Sequence, residues 1–152
     1  MDSPSLAPVI IGIKGTELSR GEARKIDDLK PAGFILFDRN INGPQQTRAL
    51  TDSLRELCGY NPLIAIDQEG GNVSRLHAIV GPTPSAEQLA QFDKRSVTQF
   101  AGSLTGTILR QLGINWNLAP VLDIFNKDFK SNSLSGRCFG KSASHIIHHA
   151  GY

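Results

Sequence analysis

Residues 62–71 read Pro-Leu-Ile-Ala-Ile-Asp-Gln-Glu-Gly-Gly. The first five residues are apolar, and the run changes abruptly into polar side chains and two glycines. A short apolar run bounded by a turn signal is typical of a strand that is covered on both faces. We therefore predict a buried strand over 62–66 that ends in a polar turn.

Three further apolar runs surround this strand, at Pro8–Ile13, Ala32–Phe37 and Ile114–Ala119, and the last is open to extension as far as Leu122. Strand-like runs that alternate with helical segments indicate an α/β fold with a parallel sheet. The predicted helices are Glu22–Leu29 with Ser19 as its cap, Gly43-Pro44 through Leu57, Arg95–Leu112 with Gly113 as its stop, and Ser142–Ala150. In the third helix the predicted buried stripe is Val97, Phe100, Ala101, Leu104, Ile108 and Leu112.

The spacing of the strands indicates a barrel. The first three begin at residues 8, 32 and 62, about thirty apart, which is close to one unit of a (β/α)8 barrel. Only four strands are visible, and the chain ends where a fifth should begin. We expect residues 1–152 to be the amino-terminal half of a TIM-like barrel domain, truncated to about four units. Its first and fourth strands would then be open edges, available for self-association or for a complementary barrel fragment.

Composition narrows the function classes. The 16 basic and 14 acidic residues are spread along the chain, so no block of charge indicates a nucleic-acid partner. No apolar run approaches the length of a membrane span, and Met1–Pro4 lacks the basic start of a signal peptide. Cys58 and Cys138 are far apart in sequence and belong to no CxxC motif, so we expect two reduced thiols. A cytoplasmic protein without a membrane partner is predicted.

Polar residues collect just after the predicted strands, where barrel enzymes and open α/β sheets place their sites. The segments concerned are Asp38–Asn40, Asp67–Arg75, and Asp123 with the loop Ser135–Gly140. Asp67 would stand at the barrel mouth with two oxygens able to accept from hydroxyl groups. Gly70-Gly71 would allow a sharp turn and the close approach of a ligand. The alternatives are a solvated turn in which Asp67 or Glu69 caps the next segment, and ordinary surface charge for the arginines.

Other constellations are weaker. Asp67 and Glu69 are not assigned as the acid and the nucleophile of a glycosidase, because the relative position of their carboxylates cannot be predicted across the glycine turn. No phosphate-binding loop occurs in the sequence. His145, His148 and His149 have helical spacing that resembles metal ligands, but without an HExxH motif we predict a solvated helix face and no metal. Trp116 is open to sugar stacking, although its apolar strand favours core packing.

Four groups of residues together resemble the family 3 glycoside hydrolases, in particular bacterial-type β-N-acetylglucosaminidases that trim N-acetylglucosamine from peptidoglycan fragments. The resemblance covers the chain from about Pro8 to Tyr152, and its most specific part is the Asp-Gln-Glu-Gly-Gly segment. The residues that carry it are Gly33–Phe37 with Arg39-Asn40, Ala65–Gly71 with Val73 and Arg75, Gly113–Asn115 with Leu118–Asp123, and Arg137–Gly140.

This resemblance implies a TIM-like barrel in which Asp67, Arg75 and Arg137 bind the non-reducing sugar. Charged groups suit this task, because charge-assisted bonds to hydroxyls are short and directional. The expected supporting residues are Asp123, Glu69 and Arg39, which would hold the sugar-binding residues in position without contacting the sugar. No cofactor is implied, and the expected partner is a small sugar or a muropeptide.

The resemblance also implies that no catalytic residue lies in this chain. Family members continue with a Lys-His pair, a mobile loop with a His–Asp acid/base, and an Asp nucleophile, all expected after Tyr152. Complete relatives are expected to use a retaining mechanism with a covalent glycosyl-enzyme. The hypotheses are an inactive fragment or split part of a hexosaminidase, a non-catalytic sugar-binding remnant that dimerises, and a family 3 β-glucosidase or xylosidase.

Overall fold

The structure is a computed structural model that describes residues 5–125 and 133–151. The predicted features of Met1–Pro4 and of the end at Tyr152 lie outside the described residues. In chain order the elements are β1 (Ala7–Gly12), α1 (Arg20–Leu29), β2 (Pro31–Leu36), α2 (Pro44–Cys58), β3 (Leu63–Ile66), β4 (Gln68–Gly70), β5 (Val73–Ser74), α3 (His77–Val80), α4 (Ala86–Gln91), α5 (Arg95–Gln111), β6 (Trp116–Asn117) and α6 (Ala143–Ala150).

The described residues form two compact units. The first is drawn from Met1–Asp67 and Ile108–Asn117, and the second from Gln68–Thr107 and Leu118–Tyr152. The chain therefore leaves the first unit directly after Asp67 and returns to it near the end of α5. The assignment of residues 1–152 to half of one barrel domain stays a prediction.

The first unit is built on a parallel sheet of four strands in the order β1-β2-β3-β6. This confirms the predicted α/β fold, since parallel neighbours joined by helical crossovers follow the pattern of a (β/α) barrel. In the described part of the chain β1 and β6 end the sheet, which is not closed. The most deeply buried side chains of this unit include Phe34, Leu36, Leu54, Ile64 and Ile66.

The fourth strand is shorter than predicted, because β6 holds only Trp116 and Asn117. An asparagine side chain takes the place of strand pairing just before it. Ile64 N–H donates to Asn115 Oδ1 at 2.7 Å, and Asn115 Nδ2 donates to the Pro62 carbonyl at 3.0 Å. The prediction that Trp116 packs in the core was also wrong. This residue is 40% exposed, because β6 is an edge strand.

The first two helices confirm their sequence signals. Ser19 caps α1, and its hydroxyl and the Glu22 carboxylate form a reciprocal capping box. Gly43 precedes α2, and Pro44 occupies its first turn, where a missing N–H costs nothing. The buried side of α2 carries Thr47, Leu50, Thr51 and Leu54.

The buried stripe predicted for α5 was partly wrong. The helix spans the expected residues, but Phe100 is 69% exposed and Leu104 is also exposed. The buried positions are instead Thr98 and Leu109, with Leu112 just after the helix. At 100° per residue Phe100 points away from Thr98, so the apolar residues chosen from sequence occupied two faces of the helix.

The second unit has its own apolar cluster, which lies under α4 and α6 and consists of Ala86, Leu89, Ala90, Phe139 and Ile146. Helix α6 lies within the predicted segment and begins after Ser142, whose hydroxyl accepts from the His145 N–H. Among the described residues, no helix has the length and apolar content that crossing a membrane requires.

Candidate functional site

Glu69 and Arg137 form a bidentate ion pair in the second unit. Arg137 Nη2 donates to Glu69 Oε1 at 2.7 Å, and Arg137 Nε donates to Glu69 Oε2 at 2.8 Å. The Glu69 side chain is 7% exposed and the Arg137 side chain 27% exposed. Arg137 Nη1 also donates to the Ser133 carbonyl at 3.2 Å. The buried carboxylate therefore fixes the plane of a guanidinium that is still reached by solvent.

The residue before Glu69 anchors the same segment. Gln68 is buried, and its Oε1 accepts from the Leu76 N–H at 3.0 Å. Its Nε2 donates to Ser74 Oγ at 3.0 Å and to Thr83 Oγ1 at 3.4 Å. A buried amide with partners on both ends rigidifies its surroundings. Gln68 thus fastens the segment that presents Glu69.

The segment predicted as a polar turn is an antiparallel hairpin of β4 and β5. Gly70 has φ +89° and Gly71 has φ +57°, so both adopt a conformation that side chains disfavour. Other parts of the chain approach both glycines closely. A Cβ on Gly70 would lie 2.1 Å from the Pro84 carbonyl oxygen, and one on Gly71 would lie 2.5 Å from the Ser85 Cβ.

The remaining predicted sugar-binding residues are placed as follows. Asp67 is the residue directly after β3 in the first unit, and it is partly buried. Arg75 directly follows β5 in the second unit and is also partly buried. Asp123 is exposed on the segment that follows β6. Of the residues predicted from sequence, Glu69 and Arg137 are the pair whose direct contact the structure describes.

Arg39 and Asn40 lie in the turn after β2, in the first unit. Arg39 Nε donates to the Ile13 carbonyl at 3.1 Å, and its guanidinium lies 4.6 Å from the centre of the Phe37 ring. Asn40, to which the sequence analysis assigned no role of its own, is fully buried. Its Oδ1 accepts from the Phe37 N–H, and its Nδ2 donates to the carbonyls of Ile13 and Gly15. Both side chains therefore join the end of β2 to the loop after β1.

Both cysteines are free thiols, as predicted. Burial raises the pKa of Cys138; the charges of Asp123, Glu69 and Glu87 add to this effect, and Arg137 opposes it. Burial likewise raises the pKa of Cys58. A thiol whose pKa lies above its ordinary value stays protonated at neutral pH and is a poor nucleophile. Neither cysteine has the electrostatics of a catalytic group.

The histidines of α6 differ from their sequence interpretation. The prediction of a solvated face was wrong for His149, which is 1% exposed and stacks on Phe139 with ring centres 5.4 Å apart. His145 and His149 instead gather with Asp93, and one ligand atom from each lies within 4.8 Å of the others. Asp93 is distant in sequence and carries no motif that would have revealed this grouping. These three residues are the group that could hold a metal ion among the described residues.

Comparison with known proteins shows which family this chain belongs to. A family model described as "Glycosyl hydrolase family 3 N terminal domain" matches residues 7–152. This chain belongs to glycosyl hydrolase family 3. This confirms the family resemblance that was identified from the Asp-Gln-Glu-Gly-Gly segment and the three other groups of residues.

Relatives of known name in family 3 are similar along most of the chain. A protein named beta-hexosaminidase from Alkalilimnicola ehrlichii is 34% identical over 149 residues, covering 94% of this chain and 42% of the relative. A second beta-hexosaminidase, from Haemophilus ducreyi, is 34% identical and covers 91% of this chain and 41% of the relative. The chain thus spans about two fifths of the length of these curated relatives.

Solved structures of family 3 enzymes share the fold. A beta-N-acetylglucosaminidase from Paenibacillus sp. matches with a TM-score of 0.85 and 32% identity, over 91% of this chain and 27% of that protein. NagZ from Neisseria gonorrhoeae matches with a TM-score of 0.83 and 28% identity, over 95% of this chain and 44% of that protein. The α/β fold predicted from sequence is therefore that of the amino-terminal part of these enzymes.

Proposed function

We propose that this chain supplies the sugar-binding part of a β-N-acetylhexosaminidase that releases β-linked N-acetylglucosamine from non-reducing ends. The names of the family 3 relatives support the substrate class. The observation that carries the proposal for this chain is the bidentate pair of Glu69 and Arg137. It provides a charged, oriented donor at Arg137, the arginine that the family resemblance implies as a sugar contact.

The role of Arg137 follows from its two environments. Glu69 holds one edge of the guanidinium in place, so little side-chain freedom is lost when a ligand is bound. The accessible part of Arg137 is then a rigid donor for sugar hydroxyls, and such charge-assisted bonds are short and directional. Glu69 acts as a positioning residue for Arg137. Following the family resemblance, we propose Asp67 as an acceptor and Arg75 as a donor for sugar hydroxyls.

Bond cleavage needs groups that this chain does not offer at matching positions. In a retaining glycosidase one carboxylate attacks the anomeric carbon while an acid protonates the leaving oxygen, and water then hydrolyses the covalent glycosyl-enzyme. The family resemblance implies that in complete relatives the nucleophile and the acid/base follow the segment matched here. On this proposal the residues of this chain bind and orient the sugar, and the catalytic part of a complete enzyme performs the chemistry.

We place the activity in the turnover of peptidoglycan fragments, with a muropeptide as substrate and the cytoplasm as compartment. The two free cysteines fit a reducing compartment, where structural disulfides are rare. A β-glucosidase of the same family is the alternative within the enzyme class. It would cleave an aryl glucoside in preference to the matching N-acetylglucosaminide.

A second candidate function rests on the open sheet. Val9 and Ile10 of β1 and Trp116 of β6 are exposed, and both strands end the described sheet. Exposed apolar edge strands favour pairing with another chain. The candidate is a non-catalytic sugar-binding protein in which a second copy, or a complementary barrel fragment, covers these edges. Sedimentation at rising concentration separates the two versions, because self-pairing gives a dimer and the fragment version a monomer.

Complementation tests the proposed function. The chain is mixed with a fragment that carries the remaining residues of a family 3 β-hexosaminidase, and hydrolysis of p-nitrophenyl N-acetyl-β-glucosaminide is followed. We expect no hydrolysis by either part alone and recovered hydrolysis by the mixture, with Asp67→Ala lowering it at least about a hundredfold. Recovered activity that is unaffected by Asp67→Ala, or that favours the aryl glucoside, would refute the assignment.

A further inference from the structure

A cluster of three side chains in the second unit is unrelated to the proposed sugar contacts. It consists of Asp93, in the turn between α4 and α5, and of His145 and His149, one turn apart on α6. His145 Nε2 lies 3.8 Å from Asp93 Oδ1. Two imidazoles and a carboxylate from segments 52 positions apart thus share one small volume.

His149 is the most unusual member of the cluster. Its side chain is buried, and Nδ1 lies 2.9 Å from Thr98 Oγ1. Its Nε2 is buried as well and has no hydrogen-bond partner among the residues that the structure describes. Buried polar atoms are almost always satisfied, and leaving one without a partner costs about 1–3 kcal/mol. One histidine of the cluster therefore has a buried ring nitrogen without a partner among the described residues.

The contact with Thr98 is compatible with a histidine tautomer that suits metal binding. When Nδ1 donates its proton to the threonine oxygen, Nε2 carries the lone pair. Metal-bound histidines commonly donate their other ring N–H to such an oxygen acceptor, which fixes the tautomer and the ring orientation. The stack of His149 on Phe139 holds the ring in the same orientation.

The backbone of Asp93 and the ring of His145 also have defined surroundings. Asp93 has φ +47°, which is uncommon for a residue with a side chain and places its carboxylate at the end of a tight turn. The ring of His145 lies against Gly140, where an added Cβ would be 2.5 Å from Nδ1. Contact at Nδ1 leaves Nε2 as the ring nitrogen on the side of Asp93.

We propose that Asp93, His145 and His149 bind a zinc ion through one carboxylate oxygen and two imidazole Nε2 atoms. Two nitrogens and one oxygen suit Zn²⁺, whereas Mg²⁺ and Ca²⁺ prefer oxygen ligands alone. Zinc bonds of about 2.0–2.2 Å require the three ligand atoms, which lie within 4.8 Å of one another, to move closer together. Three protein ligands leave the fourth tetrahedral position to water or to a group from a partner.

The ion would act as a clip within the second unit. It joins α6 to the turn after α4, and these segments are far apart in sequence. Ligand binding to the folded state alone stabilises that state, and the stabilisation rises with the logarithm of the free ligand concentration once this exceeds the dissociation constant. The site uses none of the residues proposed to bind sugar, so zinc binding and sugar binding can succeed or fail independently.

Zinc titration of the whole chain tests this inference. The protein is stripped with a chelator, and zinc is added in competition with a chromophoric indicator, while Co²⁺ substitution reports the geometry through its visible absorption. We expect one zinc ion per chain, a tetrahedral cobalt spectrum and a higher Tm with zinc, and no response to Mg²⁺. Absence of stoichiometric binding would overturn the proposal.

Variants locate the ligands. Asp93→Asn and His145→Gln change partly exposed side chains, and each should weaken zinc binding at least about tenfold while circular dichroism stays unchanged. His77→Gln is the matched control, since His77 is an exposed histidine of the second unit and is not a member of the cluster. If His77→Gln weakened binding as much as His145→Gln, or if Asp93→Asn had no effect, the assigned ligands would be wrong. His149→Gln also removes the buried stack on Phe139, so its effect on zinc binding is interpreted together with the effects of Asp93→Asn and His145→Gln.

Discussion

Glu69 and Arg137 are joined by two parallel hydrogen bonds of 2.7 and 2.8 Å, although 68 positions separate them in the sequence. The pair connects the β4–β5 hairpin to the segment just before Gly140 within the second unit. A buried carboxylate that faces a bidentate guanidinium is costly to leave alone, so the two side chains stabilise the local structure only as a pair.

A double-mutant cycle measures this coupling. Glu69→Gln, Arg137→Ala and the double variant are compared by urea unfolding, and we expect a coupling energy of about 1.5–3 kcal/mol. The exposed helical pair of Arg48 and Asp52 is the control, and its cycle should give about 0.3–0.5 kcal/mol. Equal coupling energies for the two pairs would mean that burial of Glu69 contributes nothing.

Gln68→Leu should destabilise the chain by about 2–3 kcal/mol. The substitution keeps the size of the side chain but leaves the Leu76 N–H without its acceptor and removes a donor to Ser74. Chemical denaturation gives the change in the free energy of unfolding. Gln99→Leu, at an exposed position of α5, is the control and should stay within about 0.5 kcal/mol of the parent. A Gln68→Leu variant as stable as this control would contradict the role of the buried amide.

Gly70→Ala should cost about 2–4 kcal/mol. The new Cβ would be in a left-handed conformation and within 2.1 Å of the Pro84 carbonyl oxygen. The same substitution at Gly102, inside α5 with open space around it, should raise stability by up to about 1 kcal/mol, because alanine favours the helix. Thermal unfolding compares the two variants, and a shift of equal sign in both would contradict this account of the hairpin turn.

Low pH should lower the stability of the folded chain, in part because Glu22 becomes protonated. The Ser19 hydroxyl and then the Lys14 N–H hold the pKa of Glu22 below its ordinary value of 4.5. The folded state therefore binds fewer protons than the unfolded state in this range. The resulting stability is present above pH 4.5 and is lost as the pH falls through the lowered pKa. Glu22→Gln should show a flatter loss of stability between about pH 5 and pH 3.5 in denaturant titrations.

A second background checks the cause of that pH dependence. Ser19→Ala removes the largest contribution to the lowered pKa and should itself cost about 1 kcal/mol at neutral pH, because the helix loses its cap. In this background, Glu22→Gln should change the acid dependence less than it does in the parent. An undiminished effect would assign the pH dependence to a group other than the capping box.

The sheet and the long helices could be predicted from the sequence because their signals are local. Apolar runs marked β2 and β3, and Ser19 and Pro44 marked the starts of α1 and α2. The predicted fourth strand was too long. An apolar run does not reveal that the Asn115 side chain bonds to the neighbouring backbone groups in place of strand pairing.

The contacts of the site could not be predicted in the same way. Asp67, Arg75 and Arg137 were selected by family resemblance, and nothing in their spacing indicates that Arg137 meets Glu69. The hairpin was interpreted as a turn because its strands are very short and are stabilised by the buried Gln68. The cluster around His149 was missed because Asp93 comes from a distant turn without a recognisable motif.

Sugar binding by the purified chain tests the central claim most directly. Saturation-transfer NMR with N-acetylglucosamine should show binding to the parent chain and to an Arg48→Lys control. Binding should be weakened at least tenfold, or about 1.4 kcal/mol, by Asp67→Ala and by Arg137→Lys, with circular dichroism unchanged. If Asp67→Ala and Arg137→Lys bound the sugar as well as the parent, these residues would not form the sugar-binding part of the enzyme.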